Sequence, residues 1–310
     1  MRCILNRVFR LSLLGSILAG VLCSSVNAGI VVHYRAQEHE GDARFVYDLQ
    51  LLKLALEQDP SLPKVTLKPV PSINNARTVA MIGNNSIPGF VASLGYKKEY
   101  SQHNLIAIPF PVNLGIHGYR VCFMSSSLER ELGSVESLDQ LLDYVHGQGK
   151  GWRDVEVLRY NGFNVLEMSN FESLFKMVAK NRIDFFCRGA SELYREYRAH
   201  RHIEDLSYDK SFVLYYPFPR FFYTHASNKE LAEWILKGLK IAHRKGLVQE
   251  LGLKYYQPSV DFVELHKRRV FELDNPHMLD FPYDVDQYLY RPLQENVATE
   301  DAEPLINEPR

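Results

Sequence analysis

Residues 163–189 read FNVLEMSNFESLFKMVAKNRIDFFCRG, and the fold turns on this run. FNVLEM has the composition of a strand, FESLFKMVAKN sets Phe171, Leu174, Phe175 and Val178 on one helical face, and RIDFFCRG is apolar almost throughout. Strand, helix and buried strand in that order form an α/β unit, because a strand apolar on both faces must be covered on both.

The same alternation extends outward. Upstream, IVVHY (30–34) is a short apolar strand, followed by a helix in which Phe45, Leu49, Leu52 and Leu56 share a stripe. KVTLKPV (64–70), IPGFVAS (87–93) and LIAIPFP (105–111) read as strands, and NNARTVAMIGNN (74–85) as a helix entered through an Asn cap. LGYKKEY (94–100) is a loop, 119–124 a further strand, SLDQLLDYVH a helix running into a strand, and 153–160 a helix. Downstream, FVLYYPFPRFFYTH (212–225) is too long and too interrupted by proline for one strand, and reads as two segments crossing between bodies. NKELAEWILKGLKIAHRKG is a long helix with Leu231, Trp234, Ile235 and Ile241 inward, closed by Gly246. Two sets of such units predict two lobes built on largely parallel sheets.

The ends differ from the body. Arg2, Arg7 and Arg10 precede an uncharged apolar run from Leu11 to Leu22, and Val26-Asn27-Ala28 supplies small residues for cleavage, the pattern of a signal peptide over 1–28. Export to the periplasm is the expectation that follows. The last residues, 292–310, are acidic and lack aromatics, which predicts a disordered tail. Without the leader, 33 basic residues face 37 acidic ones, a formal charge of −4 over 282 residues. Such a chain has no basic field for nucleic acid or an anionic membrane. Cys122 and Cys187 remain, both in apolar strand-like runs. Two buried thiols is the plainer reading, and an exported protein equally permits a disulfide.

No nucleophile elbow, HExxH or Cys–His context is present, so no catalytic residue is nominated and no enzyme is expected. His200 and His202 flank Arg201 in a polar stretch that reads as a solvated turn, and no metal or cofactor is expected. Asp154 and Glu156 fall on a helix and invite no acid–base pairing.

The order GYRVCFM, SLDQLLDYVHGQGKGW, VEVLRYNGFNVLEMSNFESLFKMVAKNRIDFFCRGASELYREY and LYYPFPRFFYTHASNKELAEWILKGLKIAHRKG resembles the periplasmic solute-binding proteins of the amino-acid ABC-transporter type. Within them it is most similar to stand-alone binding-protein-like chains without a linked transporter. The resemblance implies an α/β, two-lobed type II periplasmic-binding-protein fold with two hinge crossings, near 109–118 and 213–220. Lobe 1 would take 29–112 and 217–291, and lobe 2 would take 113–216. The implied partner is a small-molecule solute, delivered to a membrane transporter or sensor, and the protein is expected to be a monomer.

Under that resemblance, Gly147, Gln148 and Gly149 lie where a strand turns into a helix, so that free N–H groups can face a carboxylate. Ser93 ends the matching lobe 1 strand, and Lys98 falls closest to the family's carboxylate-gripping Arg. Lysine keeps the charge and loses the planar fork, so selectivity should be looser. Where amino-acid binders place an Asp for the ligand ammonium, this chain has Arg188, with Glu192 one turn on, which shifts the expectation toward an acidic solute. Arg188 could equally pair with Glu192 locally. Tyr34 and Trp152 are the aromatic contacts expected at the cleft.

Overall fold

The computed structural model describes residues 29–36, 45–71, 73 and 75–289. The expected leader and tail lie outside them. The first sheet joins β1 (Ile30–Arg35), β2 (Val65–Val70), β3 (Phe90–Gly95), β4 (Leu105–Ile108) and β11 (Arg220–His225) in the order β2-β1-β3-β11-β4. β1 runs parallel to β2 and β3, and β11 runs antiparallel to β3 and β4. The second sheet has the order β12-β10-β5-β8, made of β5 (Tyr119–Ser125), β8 (Phe186–Gly189), β10 (Phe212–Tyr215) and β12 (Arg269–Glu272), with β9 (Leu206–Tyr208) on β5. β6 (Val145–Gly149) and β7 (Asn164–Met168) form a parallel pair that a His146–Phe185 bridge ties to this sheet.

The two lobes therefore repeat one plan. In each, a strand arriving from a crossing between lobes is inserted antiparallel near the middle, β11 in the first and β5 in the second. The proline-broken run 212–225 divides as its length predicts, β10 ending one lobe and β11 beginning the other. The return segment does not go wholly to lobe 1: β12 pairs with β10 in the second sheet.

Nine helices in the described residues cover the sheets: α1 (Val46–Leu56), α2 (Asn75–Gly83), α3 (Ser126–Leu132), α4 (Asp139–Leu142), α5 (Arg153–Tyr160), α6 (Phe171–Ala179), α7 (Ala190–His200), α8 (Lys229–Arg244) and α9 (Leu247–Phe262). On α6 the inward residues are Leu174, Phe175 and Val178, as the spacing predicts, while Phe171 is half-buried. α8 packs on α1, and Gly238 makes this possible because a Cβ there would meet the Ala55 carbonyl. Gly246 ends α8 at φ 78°, a conformation glycine adopts without steric cost. No helix among the described residues is long and apolar enough to cross a membrane.

Cys122 and Cys187 are direct cross-strand partners on β5 and β8, and they form a disulfide rather than two free thiols. His200 is likewise not in a solvated turn. Its ring stacks on Phe175 at 3.6 Å and Nε2 meets Glu172 Oε2 at 2.8 Å, while His202 stays exposed.

Candidate functional site

The strand ends of both sheets meet at a seam of buried charge. From lobe 1 come Asp48, in the first turn of α1, Ser93 near the end of β3, and Arg220, the first residue of β11. Arg220 Nε donates to Ser93 Oγ at 3.2 Å, and its Nη2 lies 3.7 Å from Asp48 Oδ2. Burial pushes the Asp48 carboxyl up, and the Arg220 guanidinium only partly offsets it. Asp48 and Ser93 line a narrow crevice of about 10 Å³ together with Tyr34, Arg35, Phe45 and Phe222. That volume suits one water-sized group.

Lobe 2 is more tightly paired. Arg188 is the last residue but one of β8, and Glu192 and Glu196 follow on α7 at helical spacing, so both carboxylates come under one guanidinium. Glu196 takes the Nε and Nη2 edge of Arg188 at 2.8 and 2.7 Å, and Glu192 accepts from Nη2 at 2.9 Å. Glu192 also caps α7 by accepting from the Gly189 N–H at 3.1 Å. Burial disfavours its charge, yet Arg188 and Arg120 outweigh this and hold the Glu192 carboxyl down at about 2. Glu196, sharing the same guanidinium, is pushed up by its burial. Arg120 of β5 reaches Asp154 Oδ1 of α5 at 2.9 Å, and the Tyr216 hydroxyl donates to the same oxygen at 2.6 Å. Asp154 is thus a buried anchor for Arg120. His117, in the first crossing, stands 3.8 Å from Glu192, and burial drives its ring down to about 3, so it is neutral at physiological pH.

Among the residues singled out in the sequence, Tyr34, Ser93, Arg188 and Glu192 sit at this seam. Trp152 stands beside them with Arg188 4.8 Å from its ring. Arg188 pairs locally with Glu192 and Glu196, so its charge is already compensated and gives no ground for repelling an ammonium. Lys98 lies elsewhere, 68% exposed and paired with Asp280. Its neighbour Lys97 instead bridges the lobes to Glu156 at 3.1 Å.

The glycines of 147–149 belong to β6 itself, and α5 begins four residues after Gly149. A Cβ on Gly147 would collide with Ile183, and one on Gly149 with the Trp152 indole, so close packing explains both. The N–H groups of Gly147, Lys150, Gly151 and Trp152 donate to Phe185 O, Met168 O, Glu167 Oε2 and Gly149 O. Gly147, the first of the expected donors, is therefore bonded within the protein, as is the turn that leads into α5. Gln148 is buried too, its amide donating to Cys187 O at 3.3 Å.

Arg120, Asp48, Arg220, Arg153 and His117 escaped the sequence reading. One signal was present: a lone Arg inside the apolar run YRVCFM is either exposed or must be paired, and Arg120 is paired.

No family model and no curated relative matches this chain. Solved structures do. An ancestral arginine-binding protein bound to arginine matches 74% of this chain and 98% of its own, at 16% identity and a TM-score of 0.53. The GluR0 ligand-binding core from Nostoc punctiforme, in complex with L-glutamate, matches 74% and 100%, at 16% identity and 0.51. A histidine kinase sensor domain similar to periplasmic binding proteins matches 74% and 96%, at 12% identity and 0.53. The chain has the two-lobed type II periplasmic-binding fold.

Proposed function

We propose that this is an exported solute-binding protein that traps a small carboxylate-bearing solute between its lobes for transport or sensing. The observation that carries the reading is the seam itself, where Asp48, Ser93 and Arg220 of one lobe confront Arg120, Arg188 and Glu192 of the other. Closure brings both sets onto one guest, so the energy of closing comes from contacts that neither lobe makes alone. Each cleft carboxylate is set against a guanidinium, an arrangement that holds charge in place rather than moving protons, which supports binding over catalysis. The crevice beside Asp48, lined by lobe 1 residues, is too small for a solute. Binding therefore starts from an opened form, and the crossings at 109–118 and 213–220 supply the hinge.

The test is a thermal-shift screen of the purified protein against amino acids, dicarboxylates and short peptides. A true solute raises the melting temperature as its concentration passes Kd, because it binds only the folded state. Arg220→Ala should abolish that shift, and no response to any member of the screen would sink the reading. The likeness to a sensor domain keeps a receptor-docking role beside transport. Recovery of a membrane sensor rather than a transporter, on crosslinking the loaded protein to its native membrane, decides between them.

A further inference from the structure

Arg153 opens α5 and crosses from lobe 2 toward lobe 1. It packs its Cδ within 3.1 Å of where a Cβ on Gly95 would stand, and sets its guanidinium 5.4 Å from the Phe218 ring. It is 6% exposed, yet Nε and Nη2 make no hydrogen bond to any described residue. The carboxylates nearest it in the chain are committed elsewhere: Asp154 to Arg120 and Tyr216, Glu156 to Lys97 and His277. Those two nitrogens are one edge of the guanidinium fork. In Arg188 the same edge holds the Glu196 carboxylate with two bonds, and in Arg220 it holds Ser93 Oγ. Arg120 leaves only its Nε unbonded and spends Nη2 on Asp154.

A buried guanidinium with a whole edge unmet is expensive, since desolvating an ion costs several kcal/mol unless a counter-charge meets it. Burial accordingly lowers the Arg153 pKa, and Tyr100, Tyr223, Asp154 and Glu156 only partly offset it. Trp152 offers the first turn of α5 no capping side chain, and the two acids of that turn, Asp154 and Glu156, are the ones already paired elsewhere.

We infer that Arg153 is the anion anchor of the interlobe site, its Nε–Nη2 edge taking a carboxylate or phosphate oxygen pair of the solute with two parallel hydrogen bonds. This rests on the solute-binding reading and sharpens it, moving the anion-holding role from the Gly147–Gly149 backbone and Lys98 to one side chain on α5. Gly95 is the floor opposite it, where any side chain would press on the Arg153 stem. The planar fork fits a two-oxygen anion better than an ammonium would.

The experiment uses the purified protein with Arg153→Met, which keeps length and removes charge, and Arg153→Lys, which keeps charge and removes the fork. Each is titrated calorimetrically with L-glutamate, L-arginine, succinate and inorganic phosphate. For whichever probe binds the wild type, Arg153→Met should weaken Kd by roughly 30- to 100-fold and Arg153→Lys by roughly tenfold. Succinate against phosphate separates a carboxylate from a phosphoryl solute. Without any probe, Arg153→Met should melt no lower than wild type, because an uncompensated buried charge has gone. A wild type that binds while Arg153→Met keeps its affinity overturns the assignment alone. A probe-free Arg153→Met that melts far lower does the same, by showing a purely structural role. A wild type that binds no probe overturns this assignment together with the solute-binding reading.

Discussion

The two lobes share a strand plan and treat charge in opposite ways. In lobe 2 the cleft-facing ions are bonded at 2.7 to 2.9 Å within the lobe: Arg120 to Asp154, and Arg188 to Glu192 and Glu196. A disulfide ties the β5 and β8 strands that carry Arg120 and Arg188. In lobe 1 the corresponding pair, Asp48 and Arg220, stands 3.7 Å apart beside a crevice. One wall is thus preorganised and the other adaptable. Preorganised charge costs nothing further when a guest arrives, and the looser pair can exchange its internal partner for a ligand's.

The largest effect expected from this contrast is on stability. Asp154→Ala removes one member of a buried pair and strands Arg120, which should cost about 3–5 kcal/mol in urea unfolding. Asp48→Ala, its counterpart in the adaptable wall, should cost about 1 kcal/mol, the order of one modest hydrogen bond. Equal losses would erase the distinction between the walls. Next comes the disulfide: Cys122→Ala with Cys187→Ala opens a crosslink spanning 65 residues and should cost about 2–4 kcal/mol. The same loss should follow a reductant in the wild type and be absent in the double variant.

Much of this architecture was legible beforehand, and the reasons are local. Strand and helix periods placed α5, α6 and the split of 212–225, because each depends on neighbours within a few residues. α9 and β12 were not singled out: Pro258 lies inside that helix and lessens its signal, and β12 is four residues whose pairing depends on β10, far off in sequence. The site was legible only in part. Tyr34, Ser93 and Arg188 lie near strand ends and Glu192 one turn beyond, whereas the Gly147–Gly149 run, whose pattern suggests open backbone, is packed glycine. Arg120 with Asp154, and Asp48 with Arg220, are 34 and 172 positions apart in the numbering, so their meeting is a property of the fold alone.

Acid should probe the preorganised wall before the other. His146, buried within lobe 2, and His117, at the crossing, are driven by burial down to about 4 and about 3. Both are neutral in the fold, and the unfolded chain binds their protons below about pH 6.5. Stability is therefore full above that pH and falls as pH drops from about 6.5 toward 4, by about 1.4 kcal/mol per unit for each ring. His146→Gln should flatten the slope of melting temperature against pH in that window. An unchanged slope would mean that His146 is not held neutral by burial.

The smallest effect separates two adjacent lysines. Lys97 joins Glu156 across the lobes, and Lys98 joins Asp280 where both side chains are mostly exposed. Exposed pairs contribute about 0–1 kcal/mol, so neither Lys97→Ala nor Lys98→Ala should move the melting temperature far. Their difference should appear in shape instead. Lys97→Ala removes a tie that exists only when the lobes are closed, and so favours the opened form, raising the radius of gyration by X-ray scattering and speeding solute association. Lys98→Ala touches no bond between Glu156 and lobe 1 and should leave both quantities at wild-type values. If the two variants scatter alike, the Lys97–Glu156 contact is not a latch.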